Sequence, residues 1–145
     1  RASRFRLTPL AVGASIRIAD SLLDGRSHFQ AEILRLKQIT DLGRGALPLL
    51  FLLDEILHGT NSRERLIGAR AVVRELLARG AMGAVSTHDL GLADMEQELA
   101  GKAKNVHFQE QVEADKMTFD YKLREGVGQS SNALRLMKMV GLDVV

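Results

Sequence analysis

Five apolar residues, Leu49 to Leu53, follow one another without a polar break and run straight into an acidic pair, Asp54-Glu55. A short continuous run of this kind predicts a strand buried on both faces of a parallel sheet. From Arg63 to Arg79 the apolar residues Leu66, Ala69, Val73, Leu76 and Leu77 recur at helical spacing, and Gly80 predicts the stop. Ala81 to Ser86 predicts a second buried strand, followed by Thr87-His88-Asp89. Strand, helix and strand in this order predict a right-handed crossover on a parallel sheet. Upstream, residues 1–26 read as a loop-rich opening segment with a short strand around Ile16 to Ile18. Ser27-His28-Phe29-Gln30 matches a capping box, so Ser27 is the predicted N-cap of a helix through Ala31, Glu32, Leu34 and Leu36 to about Gly43.

The pattern changes after Asp89. Gly91 to Leu99 predicts one short helix. Asn105 to Val112 and Met117 to Leu123 alternate in polarity, which puts Phe119, Tyr121 and Leu123 on one face and predicts an antiparallel hairpin around Ala114-Asp115-Lys116. A last helix is predicted from Ser131 to Val140, with Leu134, Met137 and Val140 on one side. The fold class is therefore α/β: a parallel-sheet core with a C-terminal antiparallel hairpin and helix.

Composition narrows the function classes. The chain has 145 residues, 46% of them hydrophobic and 26% charged, as an ordinary soluble domain has. It contains no cysteine, which excludes disulfides and thiolate metal sites. A net charge of +2, with basic residues scattered apart from Arg1, Arg4 and Arg6, gives no nucleic-acid footprint. No apolar run approaches the roughly 20 residues that a membrane span needs, so no membrane contact is expected from this segment. The first residue is arginine, and the chain is expected to be a fragment or a processed piece.

Ligands of open parallel sheets bind beyond the carboxyl ends of the strands. Asp54-Glu55 and Thr87-His88 lie at two such ends, one crossover apart, and are expected to face one crevice. An aspartate there can hold hydrated Mg²⁺, the next glutamate can orient or deprotonate a water, and a neighbouring histidine can reach a terminal phosphate. Each feature has a plainer reading. An acidic pair after a strand also starts many solvated loops, and a lone histidine at a strand end is often structural. His28 and His58 read as surface or packing positions. Gly25-Arg26-Ser27 leads into a helix N-terminus, which can bind phosphate, although on local grounds a simple cap is the favoured reading. The phosphate-cradling loop G-x-x-x-x-G-K-[ST] does not occur: the one Gly-Lys pair, Gly101-Lys102, is followed by Ala103.

Four segments together resemble the second half of the ATPase domain of the MutS family of DNA mismatch-repair proteins, from about Leu10 to Leu142. "DSLLDGRSHFQAE" is similar to the family's signature segment, with Ser27, Phe29 and Glu32 at the recurring spacing. "DEILHGTNS" resembles its Walker B strand end and D-loop, and "STHDLGLA" its switch-histidine segment. "YKLREGVGQSSNALRLMKMVGL" resembles its closing hairpin strand and following helix. The resemblance implies a partial P-loop NTPase fold of the ABC type. The whole chain would be one partial domain that lacks the Walker A half. Residues 1–26 would be its opening segment, 27–104 its signature, Walker B, D-loop and switch-histidine core, and 105–145 its hairpin and C-terminal helix.

It also implies ATP and Mg²⁺ as cofactors. Asp54 would hold Mg²⁺ through water, Glu55 would polarise the hydrolytic water and His88 would sense the γ-phosphate. Ser27, with Gly25 and Arg26, would contact a nucleotide held by a partner subunit, and Gly59, Thr60, Asn61 and Ser62 would lie at that dimer interface. The implied partners are a second copy or a MutS-like subunit, with DNA bound by other domains, in the bacterial cytosol or nucleoid. An ATPase in the intact protein, the fragment alone would be inactive without Walker A. The spellings "LHGTNS" and "SSNAL" depart from the commoner "GRGTST" and "TSYG" and point to a MutS-related branch, in which mismatch recognition is less firmly implied than ATP-driven switching. Three other readings stand beside it: another ABC-type DNA-repair ATPase, a metal-dependent hydrolase using Asp54, Glu55 and His88 directly, and a non-catalytic dimerisation module. The short connection between signature helix and Walker B strand, with no heptads, disfavours the first of these.

Overall fold

The computed structural model describes residues 3–16, 28–113, 116–128, 137, 138, 141 and 142. They form two compact units, Arg1–Leu92 and Ala93–Val145. In the first, strands β1 (Ala11–Ser15), β2 (Leu49–Asp54) and β3 (Met82–Ser86) make a parallel sheet in the order β1-β2-β3. Helices α1 (His28–Leu42) and α2 (Ser62–Ala78) follow β1 and β2. The register sets Gly13 and Ser15 of β1 beside Phe51 and Leu53 of β2, and Gly83 and Val85 of β3 beside the same pair. Two crossovers that step the same way across a sheet, with the usual hand, place both helices on one face.

That face holds the core. Leu49, Phe51 and Leu53 are buried against Leu36 and Ile39 of α1 and Ala69 and Leu76 of α2. Residues at i, i+4 and i+7 line the inner stripe of each helix: Glu32, Leu36 and Ile39 in α1, then Ala69, Val73 and Leu76 in α2. Leu34 is exposed, and Glu32 takes an inward position. Arg79 ties the two helix ends together, donating from Nη1 to the Thr40 carbonyl at 2.6 Å and from Nε to Glu75 at 2.9 Å. Gly80, at φ 74°, follows the last turn of α2 as the sequence predicts.

Three expectations for this unit are corrected. The first described strand is Ala11–Ser15, its span fixed by parallel pairing with Leu49–Leu53, and it stops short of Ile16; residues 17 and 18 lie outside the described residues. Burial in β2 alternates, complete at Leu49, Phe51 and Leu53 and partial at Leu50, Leu52 and Asp54, so its second face is not sealed. β3 is not a buried strand: among the described residues it pairs with β2 alone, and four of its five residues are exposed. Val12 and Met82, in line with Leu50 on the face away from the core, are 58% and 54% exposed.

Past β3, the predicted single helix over Gly91 to Leu99 is two short pieces, α3 (Leu90–Ala93) and α4 (Met95–Glu98), joined at Asp94. In the second unit β4 (Val106–Glu113) and β5 (Lys116–Glu125) form the predicted antiparallel hairpin. Its register steps from Phe108↔Leu123 to Glu110↔Phe119, so β5 carries extra residues in a bulge. Tyr121 lies within the bulge at φ 53° and is 81% exposed, so the strict alternation expected of Phe119, Tyr121 and Leu123 breaks there. Asp120 holds the bulge, accepting from both terminal nitrogens of Arg124 at 3.1 and 2.7 Å and from the Lys122 amide at 3.0 Å. The helix predicted from Ser131 to Val140 lies outside the described residues except for Met137 and Lys138, which are helical.

Hydrogen bonds from Arg124 and from the Lys122 amide hold the Asp120 carboxyl well below its ordinary value of 3.8. A depressed folded-state value means a contribution that is complete above the unfolded value and lost as pH falls through the folded one. An NMR acid titration should place Asp120 below 3.8, and Arg124→Ala should return it towards that value. An Asp120 that titrates at 3.8 in the unaltered chain contradicts the clamp.

Candidate functional site

The carboxyl end of β2 is shaped by a turn that the backbone does not adopt readily. Glu55 and Leu57, neither of them glycine, have φ of 48° and 62°. Each left-handed residue of this kind costs on the order of 1–3 kcal/mol and persists only where the surroundings over-determine it. Several anchors do so here. The Glu55 amide donates to the Ser86 carbonyl at 3.1 Å, continuing the β2–β3 ladder by one residue. Ile56 and Leu57 are buried in the core, each worth roughly 1.5–3 kcal/mol. The Leu57 amide donates to Oε1 of Glu32, on α1, at 2.5 Å. Gly59 packs so closely under Phe29 that a Cβ there would come within 2.7 Å of the Phe29 Cβ. The first turns of α1 and the turn after β2 are thus one interlocked piece.

Glu32 is only 5% exposed, and its second oxygen, Oε2, is buried without a hydrogen-bond partner among the described residues. Burying a carboxylate with half its acceptors unused is costly, so the bond to Leu57 must repay more than itself in geometry. Sequence reading placed Glu32 on the helix without a role. The available signal was a charged residue at i relative to Leu36 and Ile39, on the apolar stripe itself.

Asp54 and Ser86 are register partners on adjacent strands, on the face away from the helices, and the Ser86 hydroxyl donates to Oδ1 of Asp54. Glu55, next in the chain, turns its Oε2 to two imidazoles: Nδ1 of His88 at 2.8 Å and Nε2 of His58 at 3.0 Å. The two rings lie 5.4 Å apart between centroids at 35°. His88 is set by its neighbours in the chain. The Asp89 amide donates to the Thr87 hydroxyl at 3.0 Å, and Oδ1 of Asp89 accepts from the Gly91 amide at 3.0 Å.

The structure therefore brings Asp54, Glu55 and His88 to one strand edge, as the spacing predicts. His58 is exposed, in keeping with the surface reading, and is in addition a direct neighbour of the Glu55 carboxylate. The trio gathered around one point is Glu55, His58 and His88, and Asp54 stands outside it with Ser86. Direct metal ligation by Asp54, Glu55 and His88 together is not the arrangement found. Ser27, Gly25 and Arg26 lie outside the described residues. Thr60 and Asn61 have local partners: Oδ1 of Asn61 caps α2 by accepting from the Glu64 amide at 3.0 Å, and Thr60 donates to the Glu64 carboxylate at 2.5 Å. Gly59, Asn61 and Ser62 are exposed.

A parallel α/β unit with an acidic pair and a histidine on neighbouring strand ends has the ligand-site arrangement of open parallel sheets. The chain belongs to the MutS family: the family model described as MutS domain V matches residues 6–145. It is 35% identical over 132 residues to the DNA mismatch repair protein MutS of Natronomonas pharaonis, covering 90% of this chain and 15% of that protein. The DNA mismatch repair protein MutS of Geobacillus sp. is 33% identical over 128 residues, 88% of this chain and 14% of that protein. That of Streptococcus uberis is 29% identical over 133 residues, 91% of this chain and 15% of that protein. The chain thus spans about 15% of the length of the curated relatives it matches. No helix among the described residues is long and apolar enough to cross a membrane.

Removing the Glu32 carboxylate should leave the Leu57 amide buried and unsatisfied, at a cost of about 1–3 kcal/mol. We expect Glu32→Ala to lose that amount in chemical denaturation and Glu32→Gln, which keeps an acceptor, to lose clearly less. Equal losses in the two variants would show that the hydrogen bond is not what matters. Asn61→Ala should cost about 0.5–2 kcal/mol through the lost cap of α2.

Proposed function

We propose that this chain is the C-terminal part of a MutS-type ATPase domain, with the ABC-type P-loop fold, and supplies the hydrolytic edge of its nucleotide site. The observation that carries the reading is the pairing of Glu55 with His88 at 2.8 Å, beside Asp54, across the carboxyl ends of two parallel strands. The donor set fits Mg-ATP. Asp54 and Ser86 offer hard oxygens, which suit Mg²⁺ held largely through water. When bound, Mg²⁺ would neutralise phosphate charge. The chain's own work is then positional. Asp54 would hold the ion through its water shell, Glu55 would orient and polarise the attacking water, and His88, which pairs with the Glu55 carboxylate, would sense the terminal phosphate.

The phosphate cradle would come from a segment outside these residues, as the missing G-x-x-x-x-G-K-[ST] motif requires. Ser27, with Gly25 and Arg26, would meet the γ-phosphate of a nucleotide held by a second, MutS-like subunit. Gly59, Thr60, Asn61 and Ser62 would line the junction between subunits, with the caps on α2 keeping that loop in shape. In the whole protein, ATP binding and hydrolysis would be coupled to mismatch repair or related DNA processing in the cytoplasm, with DNA contacts made by other domains. The relatives' names and the shared domain V support this assignment.

In the whole protein that carries this chain, Glu55→Gln should slow ATP hydrolysis by about 10²–10⁴-fold, the usual contribution of general-base catalysis, and leave ATP binding nearly unchanged. Turnover at the unaltered rate would remove Glu55 from the chemistry. The chain by itself should show no tight binding of Mg-ATP in calorimetry, and a strong signal there would contradict the need for an outside cradle.

A further inference from the structure

We propose that Glu55, His58 and His88 form a binding site for a divalent transition-metal ion of the Zn²⁺ type, separate from the Asp54–Ser86 pair. One ligand atom from each residue lies within 4.8 Å of the others. Both imidazole nitrogens face the same carboxylate oxygen, at 2.8 and 3.0 Å. Ligands around tetrahedral Zn²⁺, bonded at about 2.0–2.2 Å, sit roughly 3.4 Å apart, so each imidazole nitrogen would move about half an ångström from the Glu55 oxygen, while the two nitrogens, within 4.8 Å of each other, settle at the same spacing.

Two histidines and a carboxylate are a borderline-soft donor set that selects Zn²⁺, Co²⁺, Ni²⁺ or Cu²⁺ over Mg²⁺. The neighbouring Asp54 and Ser86 oxygens have the opposite preference. The scaffold is already in place. Glu55 and His58 sit three residues apart on the turn that Glu32 and the buried Ile56 and Leu57 hold in shape. His88 comes from the adjacent strand end, and the Asp89 turn fixes its backbone. The side chains of His58 and His88 are 41% and 68% exposed, so an ion can reach them from solvent and keep an open fourth position for water.

Binding follows from this geometry alone. Only its consequence, that such an ion withdraws Glu55 from solvent and inhibits ATP turnover, rests on the function proposed above.

The test uses this chain in buffer free of nucleotide and phosphate. Calorimetry with Zn²⁺ should find one ion per chain, and Co²⁺ should give intense visible bands of four- or five-coordinate geometry. His58→Ala and His88→Ala should each weaken binding by at least about 100-fold, beyond the 10–100-fold typical of outer-shell partners. His107→Ala, on the hairpin, should bind as the unaltered chain does. A weak octahedral Co²⁺ spectrum, no saturable Zn²⁺ heat, or unchanged affinity in His58→Ala overturns the site. The Co²⁺ spectrum of the unaltered chain decides the matter even if a variant folds poorly. The ATPase reading of Glu55 is tested separately, by Glu55→Gln turnover without added transition metal.

Discussion

A single hydrogen bond, from the Leu57 amide to the buried Glu32 carboxylate, holds together the parts of this molecule that bear on function. The turn it closes contains two left-handed residues that are not glycine, and their strain is comparable to what burial of Ile56 and Leu57 returns. The bond from Leu57 to Glu32, together with the Glu55–Ser86 bond and the Gly59–Phe29 contact, supplies the margin that keeps the turn in shape. The direction of the Glu55 side chain depends on that shape, and so does the meeting of Glu55 with His58 and His88. Because Glu32 lies one turn into α1, the start of that helix and the acidic end of β2 cannot move independently without breaking the bond.

The sheet supplies the second constraint. Parallel register sets Asp54 beside Ser86 and lets the Glu55 amide continue the ladder to the Ser86 carbonyl. The two carboxylates thus diverge: Asp54 keeps the strand's alternation and pairs with a hydroxyl, while Glu55 leaves it and pairs with imidazoles. Adjacent residues end in chemically different surroundings, one beside a hydroxyl oxygen and the other beside two imidazole nitrogens.

Much of this was legible in the sequence. The apolar run at Leu49 to Leu53, the helical period from Leu66 to Leu77 and the alternation in the hairpin reflect local periodicity, and each names its element. Asp54, Glu55 and His88 were legible because strand ends of a parallel sheet converge. What escaped depends on contacts distant in sequence. The first strand is defined by its partner, since Ala11–Ser15 has little strand signal until Leu49–Leu53 lies alongside. Exposure of β3 follows from its having, among the described residues, a strand on one side only, which an apolar segment does not declare. The contact of the exposed His58 with Glu55 escaped because the left-handed turn that swings it back has no glycine to announce it. The structural part played by Glu32 escaped because its partner is a backbone amide 25 positions away. Tyr121 lost its place in the alternation to a bulge that Asp120 and Arg124 stabilise.

The account rests on the turn after β2 being rigid and fastened to α1, and amide hydrogen exchange at Leu57 tests this most directly. A buried amide bonded to a buried carboxylate should exchange only through large-scale opening, with protection close to that of the core strand β2. Exchange of the Leu57 amide at the rate of an exposed loop residue would contradict the account.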